Sequence, residues 1–270
     1  MGEKAELTGA PATLLGTLWG RVLDARSRRP VLGDQASVAV AERIDHPWSR
    51  LGVSTMGRLV TCVRAAQFDR WAVDFLARHP DAVVVQLGAG LDTRHARISP
   101  GPGVAWFDVD LDEVIALRRR VIDPAPGVTM INCSATDPRW MELVPVGRPT
   151  LVVAEGLSMY LDPSAGKDLL RRLSARFSGE LIMDVNGSAG VIGQFVNRAV
   201  RGQGARWTWL VDRPRSLERY GPRLVAALST SDLVLAAMRG RVPSLRRLQY
   251  RWAKLAPGAR TAGQFLRFTL

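Results

Sequence analysis

Between residues 83 and 184, five short apolar runs alternate with segments of helical period. The runs are Val83–Leu87, Val104–Val109, Val128–Cys133, Thr150–Ala154 and Glu180–Asp184, with helices expected over Leu111–Val121 and Ser164–Phe177. A strand that is apolar at consecutive positions buries both faces, as strands of a parallel sheet do. Strands alternating with helices therefore predict an α/β fold with a doubly wound, mostly parallel sheet. Leu224–Leu228 and Phe265–Leu270 are two further strand candidates, and the second fits a terminal antiparallel strand.

The chain before residue 83 reads differently. Leu7–Ala25 and Ala36–Ile44 have helical spacing. Met56–Arg78 reads as one long amphipathic helix, with Leu59, Val63, Phe68, Trp71, Phe75 and Leu76 approximating one stripe. Helices placed before the first strand are expected to cross the strand ends. Residues 1–55 are thus read as an N-terminal helical cap, and residues 56–270 as the main domain. Within that domain, the segment at about 186–222 follows the carboxyl end of the fifth strand and is expected to face the substrate.

Composition excludes some classes. No run of 18 apolar residues is present, so no membrane span or membrane partner is expected. The N-terminus, with Glu3 and Glu6 beside Lys4, makes a poor signal peptide. Two cysteines, Cys62 and Cys133, fit a reducing cytoplasm. The formal charge of +12 comes from a chain with only three lysines among 37 basic residues. Its arginines scatter without interleaved aromatics and read as solvated faces, so no nucleic-acid partner is expected. No metal-ligand cluster is visible. The sequence does not set the oligomeric state, and a homodimer is one option.

The stretch VVQLGAGLDT (84–93) places Gly88 and Gly90 where a strand has ended and a helix is due. Glycines there let a ligand approach the backbone. The dinucleotide fingerprint asks for a third glycine where this chain has Thr93, which argues against a pyrophosphate cradle. The second strand ends in Asp108 and Asp110, and Asp110 is placed to take the hydroxyls of a ribose. Asp108 is read as a helix-capping neighbour. A glycine loop and a strand-two acid without that cradle suggest a nucleoside without diphosphate, and S-adenosylmethionine fits.

Four ordered motifs, QLGAGLDTR (86–94), WFDVDLDEVIALRRR (106–120), SATDPRW (134–140) and AEGLSMYL (154–161), resemble the leucine carboxyl methyltransferase family. The nearest branch is the bacterial polyketide O-methyltransferases of the tetracenomycin type. The resemblance implies a class I S-adenosylmethionine-dependent methyltransferase fold and an O-methyltransferase in secondary metabolism. It implies that Arg64 holds the cofactor's carboxylate, and that Gly88, Ala89 and Gly90 form the loop beneath its methionine part. Asp110 with Leu111 would take the ribose, Ser134 and Ala135 the adenine, and Glu155 would lie near the amino group. The family usually has aspartate where Ser134 stands.

No catalytic base is evident. His46, in the cap, and Tyr160 are the candidates, while His79 and His95 read as structural. A carboxylic acid is already ionised at pH 7, whereas a phenol with a pKa of about 10 is ionised roughly once in a thousand. Transfer to a carboxylate or phenolic oxygen of a small aromatic or polyketide acceptor is the favoured reading. Trp207 and Trp209 are core, or else a wall for a planar acceptor. Alternatives are a protein carboxylate as acceptor and a non-catalytic cofactor-binding protein. A dehydrogenase lacks its third glycine, and a nucleic-acid methyltransferase lacks a recognition module.

Overall fold

The computed structural model of the chain describes residues 2–4, 13–191, 206–256 and 258–270. Its centre is a seven-stranded sheet made of β3 (Val83–Leu87), β4 (Ala105–Asp110), β5 (Val128–Asn132), β6 (Thr150–Ala154), β7 (Gly179–Val185), β8 (Arg223–Ser229) and β9 (Gln264–Thr269). The spatial order is β5-β4-β3-β6-β7-β9-β8. β3 to β7 pair in parallel, and β9 runs antiparallel to both β7 and β8. All five expected strands of the parallel half are present, and the last strand is antiparallel as expected.

β3 and β6 are buried at every position, the consequence of helices covering both faces. One face packs against α7 (Pro163–Arg176) and the Trp140–Met141 turn; the other packs against α3 (Thr55–Arg78). Leu59, Phe68 and Phe75 of α3 are each at most 1% exposed. Ser54 caps α3 by accepting from the Gly57 amide, and the helix stops at His79, ahead of Pro80.

Chain reversal between β3 and β6 creates the topological switch point of the sheet. There β3 leads outward to β4 and β5, while β6 leads to β7 on the other side. Loops leaving the carboxyl ends of such neighbours diverge and leave a crevice. The helices α1 (Thr13–Ala25) and α2 (Gln35–Glu42) lie near these ends, where Leu15, Leu18, Val22 and Val40 share a core with Leu91 and Leu117.

Several expectations are corrected. The helix expected over Ala36–Ile44 ends at Glu42. Ile44–Asp45 is instead a strand, β2, pairing in parallel with β1 (Glu3–Lys4) in a separate two-stranded sheet. The first part of the helix expected over Leu7–Ala25 lies outside the described residues up to Thr13. Two helices were not foreseen: α8 (Thr230–Ala237) and α9 (Ser244–Ala253). Trp209 is core: it is 5% exposed, and a Cβ on Gly166 would lie 2.2 Å from its ring. Among the described residues no helix is long and apolar enough to cross a membrane.

Candidate active site

The loop after β3 turns back over the sheet because Gly88 and Gly90 adopt φ of +65° and +51°, the left-handed region that glycine occupies without steric cost. The Gly88 and Ala89 amides donate to the Val109 carbonyl on β4. Among the described residues, the Leu14 Cβ comes nearest to where a Gly90 Cβ would stand, at 3.7 Å. The loop therefore presents its backbone at the switch point. Thr93, at the position of the missing third glycine, donates its hydroxyl to Asp34 at 2.7 Å. It ties the loop to α2 and opens only a five-residue helix, α4 (Arg94–Ile98), in place of a long helix aimed at a pyrophosphate.

Asp110 ends β4 with one oxygen accepting from the Gly90 amide at 2.7 Å and the other from the Leu111 amide at 2.8 Å. Burial raises its pKa above the ordinary carboxylate value, against those two N–H groups. Leu111, which caps α5 (Asp112–Val121), is 38% exposed beside it. Ser134 exchanges a hydrogen bond with the Thr136 hydroxyl, and Ala135 is buried with its carbonyl taken by Trp140. Asp108 is no helix cap. It is fully buried, accepting from Trp106 and from two nitrogens of Arg118, whose third nitrogen donates to the Gly90 and Asp92 carbonyls. Arg118 thus holds the glycine loop onto α5.

Across the crevice, Arg64 on α3 reaches the ends of β6 and β7. Its Nε donates to Glu155 and its Nη1 to Asp184, each at 3.0 Å. Its Nη2 has no hydrogen bond among the described residues and faces Gly156, whose φ is +68° and whose Cβ would lie 3.1 Å from it. Asp184 also accepts from the Gly156 amide. Burial raises the Asp184 pKa, and Arg64 acts against the shift.

This pair belongs to a larger lattice. Arg94, wholly buried, joins Asp69, Asp92 and Glu155. Arg97 joins Asp34, Asp69 and Asp92, and Arg21 joins Asp92 and Glu155. Four guanidinium groups thus face five carboxylates, a formal surplus of one negative charge. The reading of the arginines as solvated fails for Arg21, Arg94, Arg97 and Arg118. No composition or spacing signal marks them, because their partners come from the start of α2 (Asp34), α3 (Asp69), the loop after β3 (Asp92), β4 (Asp108) and the end of β6 (Glu155). Asp184 was likewise missed; its only signal is a polar residue interrupting the apolar run LIMDV.

The lattice should show in acid. For Asp92, Asp34 and Glu155 burial alone would raise the pKa, yet the surrounding arginines prevail and lower it. A carboxylate with a lowered folded-state pKa stabilises above its unfolded value and loses that contribution as pH falls through the folded one. The melting temperature is expected to drop steeply as pH passes below 4.5 and then 3.8, the ordinary Glu and Asp values. A melting temperature unchanged down to about pH 3 would remove the lattice from the stability account.

His46 and Tyr160 are not brought together. His46 packs edge-on to Trp48, which stacks on Trp19 at 5.3 Å, and burial lowers its pKa. Tyr160 is half-buried in the turn after β6. Cys62 is a buried thiol pushed up to about 12 by burial, donating to the Gly20 carbonyl. Among the described residues no cluster of His, Cys, Asp and Glu has the arrangement of a metal site. A cleft of about 680 Å³ opens between Asp34, Asp69 and Arg97 on another side of the lattice, apart from the crevice at the strand ends.

A seven-stranded sheet with one antiparallel strand, a glycine loop and an acid ending the next strand define the class I methyltransferase fold. The comparisons agree. A family model for leucine carboxyl methyltransferase matches residues 23–174, more than half of the chain. The tetracenomycin polyketide synthesis O-methyltransferase TcmP of Streptomyces glaucescens is 41% identical over 83% of each chain. The S-adenosyl-L-methionine-dependent methyltransferase dpfgK of Gibberella zeae is 36% identical over 82% of each. A crystal structure described as a methyltransferase of Thermobifida fusca has the same fold, with a TM-score of 0.56 at 20% identity over 93% of each chain. The chain belongs to the leucine carboxyl methyltransferase family and is an S-adenosylmethionine-dependent methyltransferase.

Proposed function

We propose that the chain methylates an oxygen of a small, planar, aromatic or polyketide-type molecule. The relative TcmP, named for a polyketide O-methylation, supports the acceptor class. The observation that supports the reading is that the left-handed glycine loop after β3, Asp110 at the end of β4, and Arg64, bridging Glu155 and Asp184 at the ends of β6 and β7, all stand at the carboxyl edge of the sheet.

These residues fit the cofactor chemically. The space beside Gly90 is one a Cβ would narrow, and the surplus negative charge of the lattice suits a molecule carrying an ammonium and a sulfonium. When bound, S-adenosylmethionine supplies an electrophilic methyl group. Arg64 would hold its carboxylate through Nη2, with Glu155 and Asp184 fixing the guanidinium and adding negative potential near the amino group. Gly88, Ala89 and Gly90 would run beneath the methionine part. Asp110, with Leu111 beside it, would accept from the ribose, with Ser134 and Ala135 around the adenine. Glu155 is enclosed by three arginines, which makes it an orienting group as well as a charge.

In-line displacement needs the acceptor oxygen held about 3 Å from the methyl carbon and on the axis of the breaking bond, so positioning supplies much of the acceleration. Residues 1–55 act as the cap in this reading; Leu14 on α1 is the nearest residue to the Gly90 Cβ position, and Arg21 enters the lattice. Residues 56–270 form the methyltransferase domain. Of the segment 186–222, residues 192–205 lie outside the described residues. Within the segment, the Thr208 amide donates to the Met159 carbonyl in the turn after β6.

An acceptor carboxylate needs no base. His46, neutral at pH 7 because burial lowers its pKa, supports a second reading in which a phenol is deprotonated. Single-turnover rates between about pH 5 and 9 decide between them. A flat profile is expected for the carboxylate; a rise whose inflection lies below the ordinary histidine value of 6.5, abolished by His46→Asn, would assign the phenol. No methyl transfer to any member of a panel of aromatic acids and phenols would contradict the acceptor class.

A further inference from the structure

The helix α9 packs onto the protein by a narrow edge. Tyr250 reaches the cluster that contains Leu233 and Val234, and Lys254 pairs with Asp232. The opposite side is apolar and open. Leu245, Leu248 and Trp252, with Leu255 just beyond the helix, are 68%, 49%, 67% and 69% exposed. Their spacing of three, four and three residues keeps them within an arc of about 80° on a helical wheel. Scattered apolar residues are ordinary on surfaces, but four in one outward stripe are not.

Charge around the stripe is one-sided. From Leu233 to Leu270 the sequence holds eight basic residues and no acidic one, so most of the net charge of +12 resides here. Arg239, Arg246, Arg251 and Arg260 are exposed, and none has an ion-pair partner among the described residues. An outward stripe of Leu and Trp flanked by cations is the composition of a helix that lies in a lipid interface. A second copy of the chain would bring two such cationic faces together. Nucleic acid would satisfy the arginines but leave the leucines in water.

We propose that α9 is an interfacial helix that docks the enzyme onto an anionic lipid surface, its apolar stripe inserted below the headgroups and its arginines among them. Such an enzyme would meet apolar acceptors where they accumulate.

Co-sedimentation of the full chain with phosphatidylcholine vesicles, with and without phosphatidylglycerol, tests this. The chain is expected to bind the phosphatidylglycerol vesicles and to dissociate in high salt. Leu248→Gln with Trp252→Gln is expected to weaken partitioning at least about tenfold through lost apolar burial. Arg246→Gln with Arg251→Gln should also weaken it about tenfold. Both variants should keep the parent's melting temperature and its affinity for S-adenosylhomocysteine. Absence of vesicle binding, or variants that bind as the parent does, would overturn the proposal. So would retention on polyglutamate without vesicle binding, which would indicate an acidic protein instead.

Discussion

Arg94→Met is expected to lower the melting temperature by about 6–20 °C or to leave the chain unfolded. Arg94 is 0% exposed, and its nitrogens meet Asp69, Asp92 and Glu155. Methionine matches the length of the side chain and keeps its contact with Phe68, over whose ring the guanidinium now lies. What it removes is the charge, and two of the three carboxylates, Asp92 and Glu155, are themselves nearly inaccessible. Breaking a buried ion pair from one side costs about 3–5 kcal/mol, because the remaining charge is stranded. In a domain of this size each kcal/mol moves the midpoint by about 2–4 °C. The exposed pair Arg139–Asp137 gives the contrast: Arg139→Ala should leave the melting temperature where it was. A thermal scan of the three proteins reads both effects. An Arg94→Met protein that melts with the parent would show that Arg97 and Arg21 alone can neutralise the lattice.

The sheet was legible because its signal is local. Val83–Leu87 and Thr150–Ala154 have the bounds read from sequence, since a strand buried on both faces must be apolar at every position. The glycine loop and the strand-two acid were legible for a similar reason: twenty residues of chain fix both at adjacent strand ends. Helix α8 is short, with Leu233, Val234 and Leu235 in a row, and gives no readable period. Helix α9 does carry helical spacing at Leu245, Leu248, Trp252 and Leu255, but it turns that stripe outward and buries none of its residues, so it does not read as an element of the core. Asp108 looked like a cap because it stands four residues before α5; its partners, Trp106 and Arg118, are set by the pleat of β4 and the facing side of α5.

The arginine lattice lies furthest from what sequence can show. Arg21, Arg64, Arg94 and Arg97 look like any of the other arginines, and only the fold brings them to five carboxylates. That arrangement changes what a mutation at Arg64 means. Arg64→Ala would strand Asp184 and Glu155 as well as removing the Nη2 that faces the crevice, mixing instability with lost binding. Arg64→Lys keeps a positive charge but cannot hold two carboxylates and a ligand together.

The account turns on whether Asp110 and Arg64 hold the cofactor at the glycine loop. Each side chain is placed for a charge-assisted hydrogen bond, and losing one costs about 1.5–3 kcal/mol, roughly tenfold to a hundredfold in affinity. Asp110→Asn retains the shape and one acceptor oxygen, but its NH2 would face the Gly90 or the Leu111 amide, so the chain should stay folded with a melting temperature lowered by a few degrees while ribose binding weakens. Calorimetric titration of the parent, Asp110→Asn and Arg64→Lys with S-adenosylhomocysteine, and of the parent with NADH, is the direct measurement. The parent is expected to bind one S-adenosylhomocysteine and no NADH, with both variants weaker by about tenfold to a hundredfold and Asp110→Asn still folded at the temperature of the titration. Parent-like affinity in both variants, or heat of binding with NADH alone, would contradict it.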